Sequence, residues 1–244
     1  MGPTVMRSST KSTNSLPMLE LSERLLMVAN MVRPGRILAD IGTDHAYLPC
    51  ELVKNGKIPA AIAADIASGP LKNAEVTVRR YGLTDKVECR RSDGLSAFNG
   101  SECEEIVLAG MGGNLIVDIL SAAPWLHNPK FHLLLQPMTH SEDVRCFLLH
   151  HGFSIDNESA VIDKSGKVYI AISAYYDSKP GNMDLFTCYF GPHAVAKNDA
   201  SRCFAEKQKN RLEKKRNGLL HTFGDCKQLR EIEDLLNDER LKGL

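Results

Sequence analysis

At 244 residues the chain can hold one large domain, or one domain with a small appendage. Its hydrophobic content of 43% supports a real core, while a formal net charge of zero excludes any case for nucleic-acid binding from global charge, so that role needs a local basic patch. The seven cysteines are scattered without a C-x-x-C pair, which argues against a zinc site or a disulfide framework and predicts reduced thiols in a cytoplasmic protein.

Residues 1–17 are polar and Ser/Thr-rich and lack the apolar segment of a signal peptide, so residues 1–18 are expected to be a disordered extension. No apolar run approaches the roughly 18 residues of a membrane span. Leu21, Leu25, Val28 and Val32 fall on one helical stripe, and Arg33-Pro34-Gly35 ends that helix. Residues 37–40 read as a buried strand with Asp40 at its end. Gly42 then permits a turn with positive φ or a close backbone approach, Thr43 and Asp44 can cap a following helix, and Pro49 suits that helix's first turn. A second strand over 60–66 again reaches an acid, Asp65, and Ser68-Gly69-Pro70 opens a helix closed by Gly82. A third strand over 86–93 runs to Asp93-Gly94. The fourth, over 105–111, runs into Gly112-Gly113 and an apolar helix, and the fifth, over 131–138, precedes a helix over 141–151. Residues 154–163 and 167–176 flank Lys164-Ser165-Gly166 as a β-hairpin.

Strands alternating with helices predict an α/β fold, a Rossmann-like parallel sheet of right-handed βαβ units over residues 19–180. The terminal hairpin is expected to add an antiparallel strand at one edge. Five βα units and a hairpin resemble the strand economy of a class I methyltransferase. After Gly191-Pro192 the texture changes, and residues 198–220 and 227–241 read as two amphipathic helices, a C-terminal helical hairpin within 181–244 with coiled-coil character.

Three acids, Asp40, Asp65 and Asp93, close three successive strands, where ligands of open parallel sheets lie. Asp65 suits a ribose diol, because one carboxylate accepts from both hydroxyls. Asp93 suits an adenine amino group, and Asp40 suits the cationic methionyl end of S-adenosylmethionine. A dinucleotide would need G-x-G-x-x-G to meet its pyrophosphate. Here the turn is G-T-D-H-A, and the anionic Asp44 lies in the diphosphate's path. Small residues at Gly110, Met111-Gly112 and Gly113 let a base and a methyl donor approach the backbone closely. The Asp/Asn-Pro-Pro-aromatic signature of exocyclic-amine methyltransferases is absent there.

The segments LSERL (21–25), DIGTDHAYLP (40–49), SDGL (92–95), AGMGG (109–113), LLLQP (133–137) and GPHAVAKN (191–198) resemble the bacterial tRNA adenine-22 N1-methyltransferase family. The resemblance spans about residues 19–215 and implies transfer of a methyl group from S-adenosylmethionine to adenine N1 in the D-loop region of tRNA. It implies a cofactor site at Arg24, Asp40, Gly42, Asp65, Ile66, Asp93, Gly94, Gly110, Met111 and Gly112, with no metal. Asp44 is the expected catalytic carboxylate and His45 and Tyr47 the expected contacts to the target base; the competing readings are helix capping for Asp44 and core packing for the two rings. Between residues 197 and 218 eight basic residues face three acidic ones, and Lys207, Arg211, Lys214 and Lys215 form a charged face suited to tRNA phosphates. Arg79-Arg80 and Arg90-Arg91 are further RNA candidates. A methyltransferase for another RNA or a small molecule, and a non-catalytic RNA-binding module with the same pocket, stay open at this point.

Overall fold

The computed structural model describes residues 20–179, 184–194, 198–223 and 225–242; the span 1–18 and Lys197 lie outside them. Strand β1 (Leu38–Ile41) is buried at every position, as a central strand covered on both faces must be. It pairs in parallel with β2 (Ala61–Asp65) on one side and β4 (Glu105–Gly112) on the other. With β3 (Val87–Arg91), β5 (His132–Thr139), β6 (Phe153–Ile162) and β7 (Val168–Tyr176), the sheet has seven strands in the order β3-β2-β1-β4-β5-β7-β6. The strand order reverses between β1 and β4, which opens a crevice beyond their carboxyl ends.

The hairpin is placed differently from expectation. The antiparallel strand is β7, inserted between β5 and β6, so that β6 forms the edge. The alternating apolar pattern of β7 is buried almost throughout, and a strand with two covered faces gains more by pairing on both sides than at an edge.

Alternation along β1 divides the core into two layers. Ala39 and Ile41 pack with Ile116 and Leu120 of α4 (Gly113–Ser121) and with Val144 and Leu148 of α5 (Ser141–His150). Leu38 faces the opposite layer, with Val28 of α1 (Glu23–Met31), Leu48 of α2 (Tyr47–Lys54) and Val78 of α3 (Ser68–Arg80). Helix α1 starts where the Ser22 hydroxyl accepts from Leu25 N, an N-cap placed by the LSERL segment.

Beyond the sheet lie α6 (Leu185–Phe190), a 3-10 turn over Gly191–Ala194, α7 (Asp199–Phe223) and α8 (Lys227–Leu236). The sequence reading did not anticipate α6, which is too short for a helical period; the Asp184 carboxylate caps it by accepting from Thr187 N. Phe186, Phe190, Leu212, Ile232 and Leu235 form a separate apolar cluster, whereas Phe204 of α7 reaches into the sheet's own core.

Arg145 of α5 joins the two parts. It is fully buried, donates from Nε and Nη2 to the Glu158 carboxylate at 2.8 and 2.9 Å, and donates from Nη1 to the Cys188 carbonyl at 3.0 Å. Its guanidinium also faces the Phe204 ring at 5.5 Å. Beside it, Cys146 and Cys188 form a disulfide, with Cα atoms 5.4 Å apart, so the expectation of seven reduced thiols is corrected to five free ones. The packing of α6 on α5 brings together two cysteines 42 positions apart, which spacing cannot reveal. Replacing Arg145 by Met removes the cation that donates to both oxygens of the buried Glu158 carboxylate. Urea unfolding of Arg145→Met should lose about 3–5 kcal/mol, with much of the loss recovered in Arg145→Met combined with Glu158→Leu.

Candidate active site

The turn after β1 is built by backbone chemistry. Gly42 has φ +76°, and the amides of Gly42 and Thr43 donate to the Ala64 carbonyl at 2.8 and 3.0 Å, which ties the turn to β2. A Cβ at position 42 would meet only the movable end of the Met111 side chain, so it is the positive φ of the turn that favours glycine here. The buried Thr43 hydroxyl accepts from Ala46 N at 3.1 Å and fixes Ala46 in the left-handed conformation that launches α2. Thr43 therefore closes the turn ahead of α2, whose N-cap residue Ala46 has no side-chain cap. Asp44, expected as a cap or a catalytic acid, makes no capping bond: its side chain is 70% exposed, with His45 Nε2 at 3.3 Å. The His45 and Tyr47 rings stack at 5.0 Å, 7° from parallel, and both remain accessible, which is not the packing of core residues.

Behind this turn Asp40 is buried. Removal from water pushes its carboxyl up to about 6, against the Thr43 hydroxyl and the Arg24 guanidinium, which favour the charged form, while Asp65 adds to the rise. Arg24 donates from Nη1 to Gln136 Oε1 at 2.7 Å, and the same oxygen accepts from Gly110 N at 3.1 Å. Burial lowers the Arg24 pKa, with Tyr169 and Asp40 opposing. Gly110 has φ +83° and sits at a register shift between β4 and β5, so one buried amide holds α1, the β4 bulge and β5 together. Gln136 was quoted in LLLQP but given no role. The available signal was a lone amide inside an apolar strand, since buried polar groups need partners.

The remaining predicted positions lie along the same edge. Asp65 ends β2, where one carboxylate oxygen accepts from Ala67 N at 2.7 Å, and the neighbouring Ile66 is 55% exposed. Asp93 is exposed two residues beyond β3, and Gly94 lies against Ile119 with φ +52°. Gly112 pairs with Thr139, and a side chain at Gly113 would strike the Thr139 and His140 carbonyls, so α4 can begin flush against the end of β5 only with glycine there. The edge thus carries carboxylates, the Arg24 and Arg91 guanidinium groups and an exposed apolar side chain. That set suits a cationic, ribose-bearing ligand better than a diphosphate.

The basic residues divide. Lys207, Arg211 and Lys214 line a cleft between α7 and the ends of β5 and β7, and Lys215 does not. Arg211 is already committed to the Glu142 carboxylate at 2.5 Å. Arg90 is held by Glu88 and Glu102, Arg91 donates to the Ile66 carbonyl, and Arg79 pairs with Glu75, which gives these candidates structural partners.

Known proteins share both the sequence and this geometry. Residues 21–172 match a family model described as a methyltransferase domain. The chain is 34% identical over 229 residues to the tRNA (adenine(22)-N(1))-methyltransferase of Bacillus subtilis (strain 168), covering 93% of each chain. The crystal structure of the B. subtilis M1A22 tRNA methyltransferase TrmK is similar with a TM-score of 0.80 at 31% identity, covering 92% of this chain and 98% of that one. The Streptococcus pneumoniae protein Sp1610, in complex with S-adenosyl-L-methionine, is similar with a TM-score of 0.76 at 33% identity, covering 89% of this chain and 100% of that one.

Gln136→Leu keeps the volume of the buried side chain but leaves the Gly110 amide and one face of the Arg24 guanidinium without their acceptor. Chemical denaturation should show a loss of about 1–3 kcal/mol, and an unchanged midpoint would remove Gln136 from the framework of the site.

Proposed function

We propose a function from one premise: the chain belongs to the tRNA (adenine(22)-N(1))-methyltransferase family. It is an S-adenosylmethionine-dependent enzyme that transfers a methyl group to N1 of an adenine in tRNA. The site fits that cofactor. Asp40 is a buried carboxylate whose ionised form a nearby cation would favour, Asp65 keeps an oxygen for a ribose diol, and Ile66 offers an exposed apolar face beside it. Arg24, held by Gln136, would meet the cofactor's carboxylate, and Asp93 with Gly94 would hold its adenine. Gly110 and Gly112, with no side chains, leave the backbone at the end of β4 open to close approach by donor and acceptor.

When bound, S-adenosylmethionine supplies an activated methyl group on a positively charged sulfur. Adenine N1 already carries a lone pair, so the protein has no proton to remove before attack. As the N1–methyl bond forms and the sulfur–methyl bond breaks, positive charge appears on the adenine. In our reading Asp44 accepts a hydrogen bond from the N6 amino group, raises the nucleophilicity of N1 and stabilises that charge. The observation that carries this is the division of labour in the turn: the Thr43 hydroxyl closes it onto Ala46 N, while the Asp44 side chain stays 70% exposed beside His45. His45 and Tyr47, already stacked, offer a platform for a base that must leave its own stack to arrive. Lys207, Lys214 and Lys215 are assigned to tRNA phosphates. Residues 19–180 serve as the catalytic unit and 181–244 as a helical unit that holds RNA. No described helix is long and apolar enough to cross a membrane, and a tRNA substrate places the enzyme's work in the cytoplasm.

Incubation with labelled S-adenosylmethionine and unmodified tRNA tests the reading, with reverse-transcriptase arrest locating the base because N1 methylation blocks pairing. Asp44→Asn should keep cofactor affinity while kcat falls about 100-fold or more; full activity in that variant would remove Asp44 from the mechanism. The Asp40 carboxyl gives a second expectation. Its ionised form, the one that attracts the cofactor's cationic end, is lost as pH falls through about 6. Calorimetric affinity should therefore fall below that pH, by about tenfold per unit at most, and Asp40→Asn should bind weakly with a flat profile.

A further inference from the structure

The cleft beside α7 has more than charge. It occupies about 750 Å³ between Pro137–Ser141 at the end of β5, Gly166–Ile170 at the start of β7, and one face of α7. Its mouth adjoins the catalytic edge, because Pro137 pairs with Met111 and Thr139 with Gly112. Its lining is largely apolar, with Met138 39% exposed at the catalytic end and Phe204 at the base. Its rim is basic: Lys207 and Lys214 come from α7 and Lys167 from the opposite wall, where its ammonium lies 5.1 Å from the Tyr169 ring centre. Glu206 is the one acid among the lining residues, and Arg211 is neutralised by Glu142.

We propose that this cleft receives the nucleotide adjacent to the target adenine on the same RNA strand, its base against Met138 and its flanking phosphates on Lys207, Lys214 and Lys167. The inference rests on the methyltransferase reading above and deepens it. An adenine drawn to the sheet edge leaves its neighbour with an uncovered ring face, and stacking or apolar cover is what single-stranded RNA sites provide for such a base. Charge complementarity selects RNA over other occupants: cations stand on both walls, Lys207 and Lys214 on one and Lys167 on the other, beside the uncharged Met138 and Phe204. The α7 contribution is regular, since Cys203, Lys207, Arg211 and Lys214 recur at helical spacing on one face.

The test uses the full-length chain, S-adenosylmethionine and tRNA carrying 2-aminopurine at either neighbour of the target. Wild type should show a rise in fluorescence at one neighbour on binding. Lys207→Glu with Lys214→Glu should weaken tRNA affinity about tenfold and reduce the salt slope by about one to two units, while Lys227→Glu with Arg230→Glu on α8, an equal charge change, should do neither. Met138→Asp, at a position 39% exposed, should abolish the fluorescence rise. A methylating wild type with no rise at either neighbour, or with affinity indifferent to Lys207 and Lys214, overturns this inference alone. Affinity loss without a fluorescence rise reduces the cleft to a phosphate contact and overturns the seated base. A concentration-dependent dimer lost in Met138→Asp gives the cleft to a second copy and also overturns it. A wild type that neither binds nor methylates tRNA overturns the functional reading and this inference with it.

Discussion

The buried amide of Gln136 sets the terms for the whole catalytic edge. An open parallel sheet presents loop ends to solvent where its ligand must sit, and loops have little packing to fix them. One acceptor oxygen at the end of β5 takes both the Arg24 guanidinium and the Gly110 amide. Three elements distant in sequence, α1, the β4 bulge and β5, thereby share one rigid point. Leaving such a donor without its acceptor costs more than the bond contributes, so the arrangement is held by the penalty for breaking it. The cleft beside α7 begins two residues later at Met138, so the fixed point borders that cleft as well as the sheet edge.

The carboxylates at that edge differ by environment more than by type. Asp40 lies behind the turn, out of water, and burial pushes its carboxyl up to about 6 although the Thr43 hydroxyl and the Arg24 guanidinium favour the charged form. Asp44, four residues on, stands in solvent beside His45. Strand geometry turns the first inward, and a tight turn closed by the Thr43 hydroxyl carries the second outward. In the proposed mechanism this one short segment serves two reactants, the donor from its buried side and the acceptor from its exposed side.

The helical part is joined to the sheet by a buried charge. Arg145 and Glu158 are both removed from water, and their two-point contact, with the Cys188 carbonyl as a third acceptor, compensates each. Phe204 packs in the same region. Together these contacts fix where α7 runs across the sheet, and so fix the width of the cleft that its basic face lines. Specific position is the benefit here, since a buried ion pair is weak evidence for added stability.

How much of this was legible in the chain follows from which interactions are local. Hydrophobic periodicity, the acids at Asp40, Asp65 and Asp93, and the glycine punctuation depend on neighbours within a few residues, and they determined the α/β order, the position of the crevice and the motifs of the family. The class of ligand also followed, because an anion at Asp44 is incompatible with a pyrophosphate at that turn. Long-range contacts were invisible for the same reason. The pairing of Gln136 with Arg24 crosses 112 positions, that of Arg145 with Glu158 joins a helix to an edge strand, and Cys146 meets Cys188 only because α6 folds onto α5. The insertion of β7 between β5 and β6 belongs to this group, as does the division of Lys207 and Lys214 from Lys215. Sequence determined which residue types reach the edge; the tertiary fold decided which of them are buried, which are already paired, and which remain to meet a substrate.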